Sequence, residues 1–248
     1  MLKWIFRIGL LCLLLLLMAM GIYVVLQPGY FRCLNISREN MTMIAPRVYV
    51  TPQMPATMRD SLLYYLKQAQ QRIIGFFGSQ QANPIIIAGH DLWAIRYFGA
   101  VQARTGMTHL APTGAYIVLA PEGINADVLA HELCHAELMA RVGWWNRTFQ
   151  VPAWFDEGLA MLLDNRFPNA ETEWQAITQN GQYAPPLAEL TTNRSFFSNP
   201  HHLYLNYLTA RHEVEQWYSV HRQRGLQLLC KCLADGHSFH QCYKRPHH

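Results

Sequence analysis

Apolar side chains fall into runs of different length along this chain, and the lengths predict different elements. Residues 8–26 carry no charged side chain; as a helix these nineteen residues would rise about 28 Å, enough to span a bilayer. Residues 47–50, 84–88 and 114–120 are short apolar runs, the second closed by Gly89 and the third ended by Pro121, and they predict strands. Between the first two strands, Leu62, Leu66, Ala69, Ile73 and Phe77 recur at intervals of four and three, the period of an amphipathic helix. The stretch 91–112 mixes aromatic, basic and small residues and predicts no single element.

From Asn125 onward the period is helical. Ala126, Val128, Leu129, Leu133, Leu138, Met139 and Val142 share helical spacing, with Asn125 as the N-cap and Gly143 as the stop. Breaks are expected at 143–151, 167–169 and 181–200. Asn199-Pro200 predicts a further helix with Pro200 as its first residue, placing His201, His202, Tyr204 and Tyr207 in its first two turns. Leu203, Tyr207, Ala210, Val214 and Trp217 form an apolar stripe there, which assigns Tyr207 to the core. The expected fold class is α+β: a small N-terminal sheet with a helix, then a helical subdomain, after an N-terminal transmembrane helix.

Lys3 and Arg7 precede the apolar run, so the positive-inside rule puts residues 1–7 in the cytoplasm and the rest of the chain beyond the membrane. A retained anchor over 8–26 is the expectation; a cleaved signal ending near Ala19-Met20-Gly21 is the alternative. Residues 27–45 then read as a spacer, and 46–248 as one domain large enough for its own core.

Half the residues are apolar and 15% are charged, which excludes a disordered chain. A net charge of +4 without a dense basic run gives no case for nucleic acid. Cys33, Cys134, Cys230, Cys232 and Cys242 lie beyond the apolar run. Cys134 reads as a small buried side chain, while the other four are open to two disulfides in an oxidising compartment. Cys230, Cys232, His237, His240 and Cys242 are alternatively a second metal site. Asn35, Asn40, Asn146 and Asn193 open glycosylation sequons, which matter only in a pathway that glycosylates.

The chemistry concentrates at His131-Glu132-Leu133-Cys134-His135. On a helix, positions four apart share a face, so the two histidines can offer ring nitrogens to one metal ion. Glu132 then flanks the ion as a carboxylate able to take a proton from water. A third ligand must come from elsewhere. Glu157, 22 residues after His135 in Pro152-Ala153-Trp154-Phe155-Asp156-Glu157-Gly158-Leu159-Ala160, is the candidate.

These two segments resemble the gluzincin metallopeptidases, in particular the peptidase MA-like group whose second motif reads approximately P-x-W-x-x-E-G-x-A; Pro152, Trp154, Glu157, Gly158 and Ala160 match it. The resemblance implies one Zn²⁺ held by His131, His135 and Glu157, with Glu132 as general base. Pro185-Pro186-Leu187-Ala188-Glu189-Leu190 is similar to a segment that often follows in such proteins. The resemblance also implies that the strand nearest the site is a sheet edge able to pair with substrate, which points to 114–120. Asp156 and Asp164 are candidates for holding the outer nitrogens of the metal-bound histidines. A downstream Tyr or His would stabilise the oxyanion, and Tyr204 and His201 are the candidates.

The function so implied is membrane-anchored, zinc-dependent hydrolysis of peptide or protein substrates outside the cytoplasm. A non-catalytic binding module of the same fold, and a hydrolase of a non-peptide envelope amide, are the alternatives. Retention of Glu132 favours an enzyme, because a binding module has no physical need of a base.

Overall fold

The computed structural model describes residues 4, 6–11, 18, 28–99 and 105–244, apart from the side chains of residues 94 and 95. Most of the expected span over 8–26 lies outside the described residues, and among the described residues no helix is long and apolar enough to cross a membrane.

Five strands form one mixed sheet: β1 (Thr42–Ala45), β2 (Val48–Val50), β3 (Ile85–Ala88), β4 (Gly106–Ala111) and β5 (Gly114–Leu119), in the order β1-β2-β3-β5-β4. The central pairs β2/β3 and β3/β5 are parallel, and the outer pairs β1/β2 and β4/β5 are antiparallel. The expected strand at 114–120 is therefore interior. The edge strands are β1 and β4, and β4, beside β5, sits in the stretch whose sequence predicted no element.

Central strands need cover on both faces. Ile86, Ile117 and Leu119 belong to the main core, together with Leu62, Leu66, Ala69, Ile73 and Phe77 of the helix Ala56–Phe77. Ile87, Tyr116 and Val118 point the other way, onto Tyr30, Cys33, Ile36 and Phe98. The segment expected as spacer over 27–45 supplies that second layer: α1 (Pro28–Leu34) covers the back of the sheet and β1 extends it. The structured body thus begins well before residue 46. Alternating outward side chains on β3 and β5 leave a second apolar face, which only another segment can bury.

Helix α2 (Ala56–Phe77) is followed by α3 (Leu92–Tyr97), and the helical layer opens with α4 (Ala126–Val142). Asn125 caps α4 as expected, its side chain accepting from the N–H groups of Asp127 and Val128 at 3.1 and 2.9 Å. Gly143, at φ 82°, ends it. Then come α5 (Trp144–Phe149), α6 (Ala153–Leu163), α7 (Ala170–Thr178), α8 (Asn193–Phe197), α9 (Leu203–Ala234) and α10 (Phe239–Lys244). The expected helix start at Pro200 moves to Leu203, because Asn199 accepts from the His201 N–H and holds 199–202 as a turn. α9 carries a non-helical residue, Arg222 (φ 54°, ψ −167°), where it kinks.

Cys232 and Cys242 form a disulfide that ties α10 to the end of α9. Cys33, Cys134 and Cys230 are free and buried. With Cys232 and Cys242 bonded to each other, neither offers a thiolate to the alternative second metal site, and the described residues show no metal-ligand cluster there.

Candidate metal centre

α4 and α6 cross in the main core, and their contact brings the three expected ligands together. A close helix approach requires glycine here. A Cβ on Gly158, the residue after Glu157, would stand 2.4 Å from the Ala210 carbonyl oxygen and 2.5 Å from Val214 Cγ2 on α9. The glycine of the second motif therefore lets α9 lie against the helix that carries the third ligand.

His131, His135 and Glu157 each offer one ligand atom, and these atoms lie within 4.8 Å of one another. The cluster can hold a metal ion. Glu157 Oε2 is 3.5 Å from His131 Nε2 and 3.7 Å from His135 Nε2, ion-pair separations too long for hydrogen bonds. That oxygen is buried and has no hydrogen-bond partner among the described residues. An orphaned carboxylate oxygen between two imidazole nitrogens is costly in a protein interior unless a cation completes it, so the residues present fit a metal.

The outer nitrogens face carboxylates. His135 Nδ1 is 3.0 Å from Asp156 Oδ1, a hydrogen bond, and His131 Nδ1 is 3.6 Å from Asp164 Oδ2. Both acids are buried and each is tied to an arginine: Asp156 to Arg147 of α5, Asp164 to Arg166 through bonds of 2.8 and 3.1 Å from Nε and 2.5 Å from Nη2. Burial works against their charge, but the arginines and histidines hold both carboxyls well below the usual range. Burial likewise disfavours a charged His131; Asp164 and Glu157 outweigh it and raise its pKa to about 10 in the metal-free protein. His135 is raised for the same reasons, through Asp156 and Glu157.

No protein-family model, curated protein or solved structure matches this chain. The chemistry available to the site follows from its own geometry.

Glu132 faces the sheet from α4. Its Oε2 accepts from Thr108 Oγ1 at 2.6 Å, and Thr108 is on the edge strand β4. Glu132 is buried, adjacent in sequence to His131, and outside the ligand cluster. Thr108 was not foreseen, since nothing in the mixed stretch 91–112 signalled a strand.

The two oxyanion candidates lie elsewhere. The Tyr204 hydroxyl bonds to Glu173 on α7, the residue is 42% exposed, and that bond raises its pKa to about 12. His201 is exposed in the turn before α9. Neither is brought to the cluster. The downstream ring that reaches it is Tyr207, assigned to the core from its stripe: its centroid is 6.4 Å from that of His131, with Phe196 at 5.2 Å on another side. Burial, then the charges of Glu157 and Glu132, raise the Tyr207 pKa and keep its hydroxyl a donor. A residue can lie on an apolar stripe and still turn its polar tip into a site.

Proposed function

We propose that this protein is a zinc-dependent metallopeptidase of the gluzincin type, anchored in the plasma membrane by residues 8–26 and hydrolysing peptide or protein substrates on the extracytoplasmic side. The observation that carries the reading is the unpartnered Glu157 oxygen between two histidines, with a further carboxylate, Glu132, beside them and outside the ligand set. Two histidines and one carboxylate are one of the three-ligand sets used by catalytic zinc, which leaves a position open.

His131, His135 and Glu157 would hold the ion. Zinc bound by such a set supplies Lewis acidity, polarising a carbonyl and making water acidic near neutral pH. Glu132, steadied by Thr108, takes the proton of the attacking water and passes it to the leaving nitrogen. The Tyr207 hydroxyl donates to the oxyanion. Asp156 fixes the ring of His135 through its hydrogen bond, and Asp164 faces the outer nitrogen of His131 at 3.6 Å.

The edge strand β4 next to Glu132 supports a peptide over a non-peptide amide, because an extended chain can add to it by main-chain hydrogen bonds. The charge-free run 8–26 with Lys3 and Arg7 before it supports the anchor, and the Cys232–Cys242 disulfide supports an oxidising compartment.

The test pairs metal analysis with a peptide-library cleavage assay on the parent and on Glu132→Gln. The parent should carry one zinc and cleave. Glu132→Gln should keep the zinc and lose activity by about 10²–10⁴-fold. A zinc-loaded parent that cleaves no peptide would sink the peptidase reading.

A further inference from the structure

Among the described residues the outer edge of β4 carries no backbone partner at Gly106 or Thr108 and is blocked at Leu110. The Thr105 carbonyl accepts from the Ala120 N–H at 2.8 Å, so residue 105 bonds inward. Antiparallel ladders alternate, and with Gly106 opposite Leu119 the inward residues on β4 are Met107, His109 and Ala111. The backbone N–H and C=O groups of Gly106, Thr108 and Leu110 therefore point away from the sheet.

These three rungs differ. Gly106 lies against α4, where a Cβ would be 3.0 Å from Val128 Cγ1 and 3.3 Å from Glu132 Cγ. Thr108 is level with Glu132, which its hydroxyl touches. Leu110 is two residues on, about 7 Å further along the strand. Its outward carbonyl accepts from Trp144 Nε1 at 3.3 Å, and the indole packs there with Leu110, Ala136 and Met139. Trp144 is the first residue of α5, placed at this end of β4 by the stop of α4 at Gly143.

We propose that Trp144 closes the edge of β4 to substrate at Leu110, so that an added peptide has, among the described residues, its rungs at Gly106 and Thr108. The inference rests on the peptidase reading. Antiparallel pairing is the more stable arrangement per residue, and a peptide so paired runs opposite to β4. Its residues N-terminal to the scissile bond then point toward Leu110 and meet the indole after about two positions. Trp144 thus makes the protein a trimmer of N-terminal residues, not an enzyme that cuts within long chains.

The test uses nested peptides in which one scissile sequence is preceded by one to six residues. In the parent, kcat/KM should fall by about tenfold or more once a third residue precedes the cut. Trp144→Ala should bring the longer members to within about threefold of the short ones. Trp144→Phe keeps a ring without the N–H and should behave like the parent. Melting curves of all three establish that they are folded. A flat series in the parent, trimming from the C-terminus, or a length cut-off unchanged in Trp144→Ala would overturn the proposal while leaving the peptidase reading intact. Absence of any cleavage sinks that reading instead. Binding of the same peptides to the zinc-loaded protein then decides the wall: a length cut-off relieved by Trp144→Ala sustains it, and none overturns it.

Discussion

Asp156 and Glu157, consecutive residues of one helix, address opposite nitrogens of a single ring: Asp156 Oδ1 is 3.0 Å from His135 Nδ1, and Glu157 Oε2 is 3.7 Å from His135 Nε2. The imidazole is fixed in orientation before any ion arrives. His131 has carboxylates at the same two nitrogens but further off, Asp164 at 3.6 Å from Nδ1 and Glu157 at 3.5 Å from Nε2.

Asp156→Asn keeps the shape and removes the charge that orients His135. Metal affinity should drop by about 10–100-fold, as seen for carboxylates behind ligating histidines generally. Competition with a chromogenic chelator measures it. Affinity equal to the parent would show that Asp156 only neutralises Arg147.

Tyr207→Phe removes a downstream hydroxyl whose ring packs beside His131. We expect kcat to fall by about 10²–10³-fold with little change in KM, because the donated bond exists only toward the oxyanion. Tyr204→Phe should leave both constants within about twofold, its hydroxyl being committed to Glu173. The reverse pattern in steady-state kinetics would restore Tyr204 to the reaction.

The raised pKa of His131, about 10 against an ordinary 6.5, makes metal uptake a proton exchange. Ligating imidazoles must be neutral, so at pH 7–8 zinc binding to the metal-free protein should expel at least one proton. Calorimetry in buffers of different ionisation enthalpy counts it. The sign is fixed by the direction of the shift: the ion pairs of His131 stabilise the metal-free fold fully below pH 6.5 and are lost as pH rises through about 10. Metal affinity should climb over the same interval. A count of zero would mean that His131 is already neutral at pH 7.

Gly158→Ala adds one methyl where α6 meets α9, at 2.4 Å from a backbone oxygen that cannot rotate away. Overpacking of this kind costs about 1–3 kcal/mol. The thermal midpoint should drop, and zinc affinity should drop with it, since Glu157 is the preceding residue. An unchanged midpoint would show that α9 yields without cost.

What the sequence determined by itself was local. Two histidines four apart on a helix that Asn125 caps and Gly143 ends must share a face, whatever surrounds them, and a carboxylate between them follows from the same period. The strands at 47–50, 84–88 and 114–120 were legible because apolar β-branched residues crowd them; the helix over Ala56–Phe77 was legible from its period. The α+β class followed from the segregation of strand signals before residue 121 from the helical period after Asn125.

Tertiary structure alone decided the rest. β4 could not be read from 106–111, because an edge strand with one partner needs no continuous apolar run, and its ladder depends on β5 lying beside it. The role of residues 28–45 depended on a second sheet face in need of cover, a demand made by distant residues such as Ile87 and Val118. The apolar stripe assigned Tyr207 to the core and left Tyr204 to the site; the packing of α9 against α6 and α7 instead turns the Tyr207 ring to His131 and the Tyr204 hydroxyl to Glu173. Periodicity reports which face of an element is apolar, and it carries no information about which element that face will meet.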